Sequence, residues 1–194
     1  MDVALEFEQE VALCTSDAEL YGLLDAVTNE LGFKHFALVH SVRLRRDDPK
    51  LVSIDNYPQA CAEEFVGEAL FLDDPMLHAS ERTAKGFAWT DVGKLFPIQP
   101  RHARVLERSA RFGMGYGFTV PSNVKGEPSG SCSFATKPDR PLGAKSLRVA
   151  ELIWTDAFHA ARRIHGLADL RKVPHLSRRE QQCVAPPLPA QATK

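Results

Sequence analysis

The sequence lacks long hydrophobic runs, an excess of either charge, and paired cysteines. Its longest apolar stretches, such as residues 36–39 and 69–72, are far shorter than the roughly 20 residues that a membrane helix needs. Lys and Arg number 24 against 25 Asp and Glu, so the net charge of -1 gives no overall basic field to attract nucleic acid or an anionic membrane. These absences argue against a membrane protein and against a broadly basic nucleic-acid binder.

The N-terminus and the cysteines indicate a reducing compartment. The first eight residues are acidic where a secretory signal would be basic and then apolar, so we expect a cytoplasmic protein. No two of the four cysteines form a C-x-x-C pair, and the seven histidines are equally dispersed. We therefore expect free thiols rather than disulfides, no metal site and no cofactor.

The hydrophobic pattern predicts helices that enclose strands. Apolar residues recur at helical spacing over residues 3–32, and Ser16 followed by Glu19 predicts a break and a new N-cap between two helices. Gly32 is a suitable residue to end the second of these helices. The remaining predicted elements are strands at 33–43 and 51–55 around a charged turn at 45–50, helices at 57–68, from 74, at 101–112 and at 143–166, an extended segment at 87–90, and strands at 118–121 and 131–136 around a turn near 125–126. This order predicts an α+β fold with an antiparallel sheet covered by helices.

Catalytic motifs are poorly represented. The spacing Gly113-x-Gly115-x-Gly117 lacks the strand-to-helix context of a dinucleotide fingerprint and fits a turn that enters a strand. There is no P-loop, no G-x-S-x-G elbow and no H-E-x-x-H pair. Composition and motifs together favour a binding module.

Five segments in order resemble the signal-binding domain of LuxR-type quorum-sensing regulators. They are Asn56-Tyr57-Pro58, Asp74-Pro75, Phe87-Ala88-Trp89, residues 113–121 and residues 130–134, within a resemblance that covers about residues 10 to 165. The resemblance implies an α-β-α sandwich of about five antiparallel strands that holds an N-acyl-homoserine lactone, with an acyl or aroyl tail, between the sheet and a helical layer. Such a ligand has one amide donor, carbonyl acceptors and an apolar tail, so a few polar groups in a dry pocket suffice.

The resemblance also assigns roles to individual residues. Asp74 would accept a hydrogen bond from the ligand amide, Tyr57 and Ser133 would donate to the acyl carbonyl, and Trp89 would pack against the lactone ring. The remaining wall would come from Phe65, Met114, Phe118 and Thr119, with Val39 and Leu38 beneath. Without the family pattern, Asp74 would be interpreted as a helix N-cap and Trp89 as a core residue.

Two positions depart from the family pattern inside this pocket. Cys61 stands where the family usually has a tryptophan whose indole donates to the lactone carbonyl, and Phe65 stands where a tyrosine is common. Loss of a partner for a buried carbonyl costs about 1 to 3 kcal/mol unless another group replaces it. Either binding is weakened, or the freed volume admits a different acyl or aromatic group. A Cys61→Trp variant would separate the two, through tighter binding of ordinary lactones or loss of a bulkier signal.

The C-terminal part shows a third departure. The resemblance places the autoinducer-binding domain at residues 1–166, a charged linker at 167–175, and a remnant of a helix-turn-helix domain with a disordered proline-rich tail at 176–194. Three prolines at 186, 187 and 189 exclude a recognition helix there, so we expect no specific DNA binding by this chain alone.

We expect the chain to form a homodimer or to pair with a full-length LuxR-type regulator. Two roles follow: it would inhibit the full-length regulator through inactive heterodimers, or it would only sequester the signal or be a decayed module. The alternative from another class is an enzyme acting on a small amide or lactone, with Asp74 as base and Cys61 as nucleophile.

Overall fold

A five-stranded antiparallel sheet forms the centre of the molecule, with helices on both of its faces. The computed structural model describes residues 3–40, 52–124, 129–137 and 142–166. The sheet order is β2-β1-β5-β4-β3 and all neighbouring strands are antiparallel, which confirms the predicted α+β sandwich. The helices are α1 (Val3–Leu13), α2 (Asp17–Glu30), α3 (Gln59–Gly67), α4 (Pro75–Ser80), α5 (Val92–Leu95), α6 (Pro100–Arg111) and α7 (Ala144–Ile164), and the strands are β1 (His35–His40), β2 (Val52–Asp55), β3 (Phe87–Ala88), β4 (Tyr116–Ser122) and β5 (Gly130–Thr136).

The two faces of the sheet present different sets of side chains, because successive side chains along a strand point to opposite faces. One face packs against α1, α2 and α7 in the main core, which includes Phe36, Phe134 and Trp154. On the other face, the register aligns Asp55, Ala37, Ser133, Thr119 and Phe87 in one row across all five strands. Helices α3, α4 and α6 lie over this second face.

Local signals in the sequence explain most element boundaries. The Ser16 side chain caps α2 by accepting from the backbone N–H of Glu19 at 3.3 Å, and Gly32 leaves the helix with a φ of +89°. Both predictions are confirmed. The predicted extended segment at 87–90 is strand only at Phe87–Ala88, and Trp89–Asp91 forms a 3₁₀ turn. Helix α5 and the 3₁₀ turn Leu70–Asp73 were not predicted, since elements of four residues show no periodicity.

Several predictions lie outside the described residues. They are the charged turn at 45–50, the turn at 125–126, the linker at 167–175 and the segment at 176–194. Among the helices that the structure describes, none is both long and apolar enough to cross a bilayer.

Candidate functional site

A cavity of about 150 Å³ lies between the second face of the sheet and helices α3, α4 and α6. Apolar and small side chains form most of its wall, and a few polar groups interrupt them. The lining residues are Ala37, Val39, Ser53, Asp55, Tyr57, Cys61, Ala62, Phe65, Val66, Asp74, Met76, Trp89, Val105, Leu106, Ser109, Met114 and Ser133. A mostly apolar cavity with few polar groups is the usual form of a small-molecule site.

The turn after β2 delivers Tyr57 to this cavity. Asn56 fixes the turn, because its side-chain oxygen accepts from the Phe36 N–H at 2.8 Å and its amide donates to Asp25 at 2.7 Å. The chain then enters α3 after Pro58, and Tyr57 faces the cavity. Burial and the nearby Asp74 raise the pKa of the Tyr57 hydroxyl well above its usual value. The phenol therefore keeps its proton and can donate.

Asp74 is both a helix cap and a cavity residue, so the two interpretations of its sequence position hold together. One carboxylate oxygen accepts from the backbone N–H of Met76 at 2.8 Å, and Pro75 occupies the first turn of α4. Burial raises the pKa of the carboxyl to about 6, although the Met76 N–H and the nearby His78 oppose this shift. The position of the carboxyl in the cavity wall therefore destabilises its ionised form relative to its protonated form.

A chain of hydrogen bonds links Trp89 to Ser133 behind the wall. The Trp89 indole N–H donates to Oγ1 of Thr119 at 2.9 Å, and that oxygen lies 2.8 Å from Oγ of Ser133. The indole lies against Gly117 on β4, where a Cβ atom would come within 2.6 Å of Cδ2 of the ring. Gly117 is therefore the position that lets the ring approach the sheet.

Most of the predicted site residues meet at this cavity. Its wall contains Tyr57, Cys61, Phe65, Asp74, Trp89, Met114, Ser133 and Val39. Thr119 is fully buried and is not among the lining residues, and its hydroxyl is hydrogen-bonded to Trp89 and Ser133, which are.

Two predicted positions do not belong to the cavity. Phe118 and Leu38 lie on the opposite face of the sheet, in the main core, so neither forms part of the wall or the floor. The reason is the two-residue period of a strand: Phe118 precedes Thr119, and Leu38 lies between Ala37 and Val39, so each must point the other way.

Cys61 is buried beside Met114 and Ala135, at the end of the cavity where Trp89 and Tyr57 also pack. Burial, with smaller contributions from Glu64 and Asp55, raises the pKa of its thiol to about 11. The group is a protonated, apolar wall element rather than a thiolate, since only the thiolate is a nucleophile.

Ion pairs tie the two helices above the cavity together. Arg108 on α6 contacts Glu64 at 2.7 Å and Glu68 at 2.6 Å, and Arg104 contacts Glu68 at 3.3 Å. Arg108 bridges Glu64 of α3 and Glu68, which caps the end of α3, and Arg104 shares Glu68, so this network joins α6 to the C-terminal end of α3.

Sequence reasoning missed nine lining residues: Ala37, Ser53, Asp55, Ala62, Val66, Met76, Val105, Leu106 and Ser109. Strand alternation from Val39 identifies Ala37, and its cross-strand neighbours are Asp55 and Ser133. The four-residue spacing of Ala62 and Val66 places them together on α3, beside Cys61 and Phe65. The α6 residues had no such signal, since nothing in the sequence says which helix covers the sheet.

Comparison with known proteins identifies the family of this chain. The model of the autoinducer-binding domain family matches residues 16–164. The transcriptional activator protein VanR of Vibrio anguillarum is 27% identical over 188 residues, which are 93% of this chain and 75% of that protein. The HTH-type transcriptional regulator y4qH of Sinorhizobium fredii is 27% identical over 176 residues, 86% of this chain and 52% of that protein, so the chain spans about half the length of this relative.

Solved structures share the fold. Escherichia coli SdiA superposes with a TM-score of 0.68 at 18% identity, covering 92% of this chain and 74% of that one. CepR2 of Burkholderia cenocepacia, described as an N-acylhomoserine lactone-dependent LuxR family factor, gives 0.63 at 17% identity, covering 86% of this chain and 97% of that one. With the family match over most of its length, the chain belongs to the autoinducer-binding domains of LuxR-type quorum-sensing regulators, and is a signal receptor by family.

Proposed function

We propose that the protein binds an N-acyl- or N-aroyl-homoserine lactone in the cavity. The observation that carries this proposal is the grouping of a carboxylate, a phenol and a hydroxyl, from Asp74, Tyr57 and Ser133, in an otherwise mostly apolar wall. The ligand needs one acceptor for its amide N–H, donors for its carbonyls and a dry surface for its tail. These three side chains match the first two needs, and the small and apolar residues match the third.

The polar groups favour one orientation of the amide. Asp74 accepts from the ligand N–H, and an ionised acceptor makes this bond stronger than a neutral one. Trp89 donates to Thr119, and if Thr119 gives its own proton to Ser133, the Ser133 proton is left to donate into the cavity. Tyr57 donates from the other side. The acyl carbonyl thus receives two donors and the N–H one acceptor.

The lactone ring fits the end of the cavity where Trp89, Cys61 and Met114 pack together. Cys61 offers no strong donor to the lactone carbonyl there. The Ser109 hydroxyl on α6 lines the same cavity and also the small pocket beside Cys61, so we propose that it replaces the missing indole.

The raised pKa of Cys61 favours binding over catalysis. A nucleophilic role requires a thiolate near neutral pH, whereas both burial and neighbouring carboxylates stabilise the thiol. Mass analysis after incubation with a lactone tests this, since hydrolysis or an adduct on Cys61 would restore the enzyme alternative.

Thermal unfolding against a panel of acyl- and aroyl-homoserine lactones tests the proposed function. A ligand that binds only the folded protein adds about 2.7 kcal/mol at 100 times its dissociation constant. We expect the unfolding temperature to rise with at least one lactone and with a dependence on its tail. A folded protein that shows no shift with any member would refute the proposal.

Signal affinity is expected to depend on pH through Asp74. Its carboxyl has a pKa of about 6 in the ligand-free protein, and only the ionised form is the strong acceptor. Affinity should therefore be constant between about pH 7 and 7.5 and should fall towards about tenfold per unit below pH 6. Isothermal titration between about pH 5 and 7.5 measures the pH dependence of the affinity, and an Asp74→Asn variant should show an affinity that does not change with pH. An unchanged affinity at about pH 5 would contradict the role of the carboxylate.

Pairing with itself or with a full-length LuxR-type regulator stays a prediction of the sequence. Co-purification of a tagged copy with an untagged partner measures it, in the presence and absence of the lactone that the thermal scan identifies.

A further inference from the structure

The cavity has a polar end at the edge strand β2. The tail of an ordinary acyl-homoserine lactone is apolar, so this end does not match it. Ser53, which is exposed, and Asp55, which is half-buried, lie on the edge strand β2 and line the cavity. Neither is needed by the amide of the ligand, because Asp74, Tyr57 and Ser133 already satisfy it.

The register of the sheet gives the separation of the two ends. Ser133, Ala37 and Asp55 are successive partners on β5, β1 and β2. Neighbouring strands are about 4.8 Å apart, so Asp55 lies about 10 Å across the sheet from Ser133. A ligand whose acyl carbonyl is bonded to Ser133 therefore directs its tail along this row towards β2.

The path between the ends is open and apolar. Ala37 and Val39 line it from the sheet, and Ala62 and Val66, one helical turn apart on α3, line it from above. These small side chains leave room for an alkyl chain or an aromatic ring. A tail that follows this row passes Ala37 before it reaches Asp55.

The carboxylate of Asp55 has capacity for one more donor. Its Oδ1 accepts from the Tyr57 N–H at 3.2 Å, and its Oδ2 lies at 3.4 Å from the Ser53 hydroxyl. An ionised carboxylate has about four acceptor positions, so about two stay open. Asp55 is half-buried and keeps part of its hydration, and a tail that ends in a methyl group would displace some of that water without offering a hydrogen bond in return, which is unfavourable for a polar group.

We infer that the signal bears a hydroxyl group at the far end of its tail, which donates to Asp55 with Ser53 beside it. This inference rests on the proposed function and names its ligand class: a lactone with a terminally hydroxylated acyl chain or ring. Hydrogen bonds to charged groups predict that such a ligand binds about 10- to 100-fold more tightly than its counterpart without the hydroxyl.

Two matched ligand pairs test the inference by isothermal titration with the full chain. They are cinnamoyl- against para-hydroxycinnamoyl-homoserine lactone, and octanoyl- against ω-hydroxyoctanoyl-homoserine lactone. In the unsubstituted protein, at least one hydroxylated member should bind about tenfold or more tightly than its partner. Equal affinities within both pairs would overturn the inference and leave the proposed function standing. If neither these lactones nor any other binds the folded protein, the proposed function itself fails.

Variants then locate the preference. Asp55→Asn keeps an oxygen for the Tyr57 N–H and replaces the free acceptor by a donor, so the preference for the hydroxyl should shrink to about threefold or less. Ser53→Ala, which leaves that turn untouched, should reduce it partly. Glu63→Gln makes the same carboxylate-to-amide change on the exposed side of α3, outside the cavity, and should leave it unchanged. A full preference in the double variant Ser53→Ala, Asp55→Asn would overturn the assignment.

Discussion

Asp74→Asn is expected to stabilise the ligand-free protein and to weaken signal binding at the same time. The carboxyl pKa of about 6 lies above the usual value of 3.8, so the folded protein disfavours the charge that the ligand needs. Asparagine removes the charge and, as an equally good N-cap, keeps the bond to the Met76 N–H. Folding of the variant is therefore not in question, and its two effects have opposite signs.

The stability gain has a defined pH window. Below about pH 4 the carboxyl is protonated in both the folded and the unfolded chain, and the substitution changes little. Between about pH 4 and 6 the folded protein holds more protons than the unfolded chain, so the stability of the unsubstituted protein falls as the pH rises. Above about pH 6 the full penalty is present. A shift of about two pKa units corresponds to at most about 3 kcal/mol, and because the group faces a cavity we expect about 1 kcal/mol.

The loss of binding comes from the reversed polarity of the new side chain. Its oxygen bonds to the Met76 N–H, so its amide group faces the ligand N–H, donor against donor. We expect roughly a 10- to 150-fold loss of affinity at about pH 7.5, the value of a hydrogen bond to a charged group.

A matched ligand isolates this bond. An ester analogue of octanoyl-homoserine lactone, with oxygen in place of the amide N–H, should bind the unsubstituted protein much more weakly than the amide. The Asp74→Asn variant should barely distinguish the two. Urea unfolding gives the stability and titration gives the affinities. If the variant prefers the amide as strongly as the unsubstituted protein, Asp74 does not hold the N–H.

The predictable part of the site consists of the residues whose backbone context is local. Asp74 before Pro75 and Tyr57 before Pro58 could be placed from short motifs, because turn and capping chemistry is encoded within a few residues. Residues of the sheet required the register. The resemblance places both Phe118 and Thr119 in the wall, but neighbouring residues of a strand point to opposite faces, and Phe118 lies in the main core.

The unpredictable part depends on contacts between distant segments. Asp55 has no unusual sequence context, and only its pairing with Ala37, itself paired with Ser133, shows that it shares a row with the amide site. Ser109 becomes a wall residue because α6 packs against α4 and the 3₁₀ turn Leu70–Asp73, which places it over the cavity. Neither contact corresponds to a periodic pattern in the sequence, so neither could be predicted from it.

Gly117→Ala is the second change with a large expected effect, because a single methyl group there meets the Trp89 indole. The added Cβ would lie 2.4 to 2.7 Å from three ring carbons, closer than non-bonded atoms approach, so the ring must move away from β4. The movement also breaks the indole bond to Thr119, which orients Ser133. We expect a loss of about 1 to 3 kcal/mol in stability and weaker signal binding.

Gly22→Ala in α2 is the matched control for Gly117→Ala. A Cβ at Gly22 meets no atom within 4 Å, so the same substitution should stabilise the helix by about 0.5 to 1 kcal/mol and leave binding unchanged. Combining Gly117→Ala with Trp89→Phe should recover part of the lost stability, since the smaller ring fits beside the methyl group. It should not recover signal affinity, because phenylalanine has no N–H for Thr119. Full recovery of binding would show that the steric clash at Gly117, rather than loss of the indole hydrogen bond, weakens binding in the single variant.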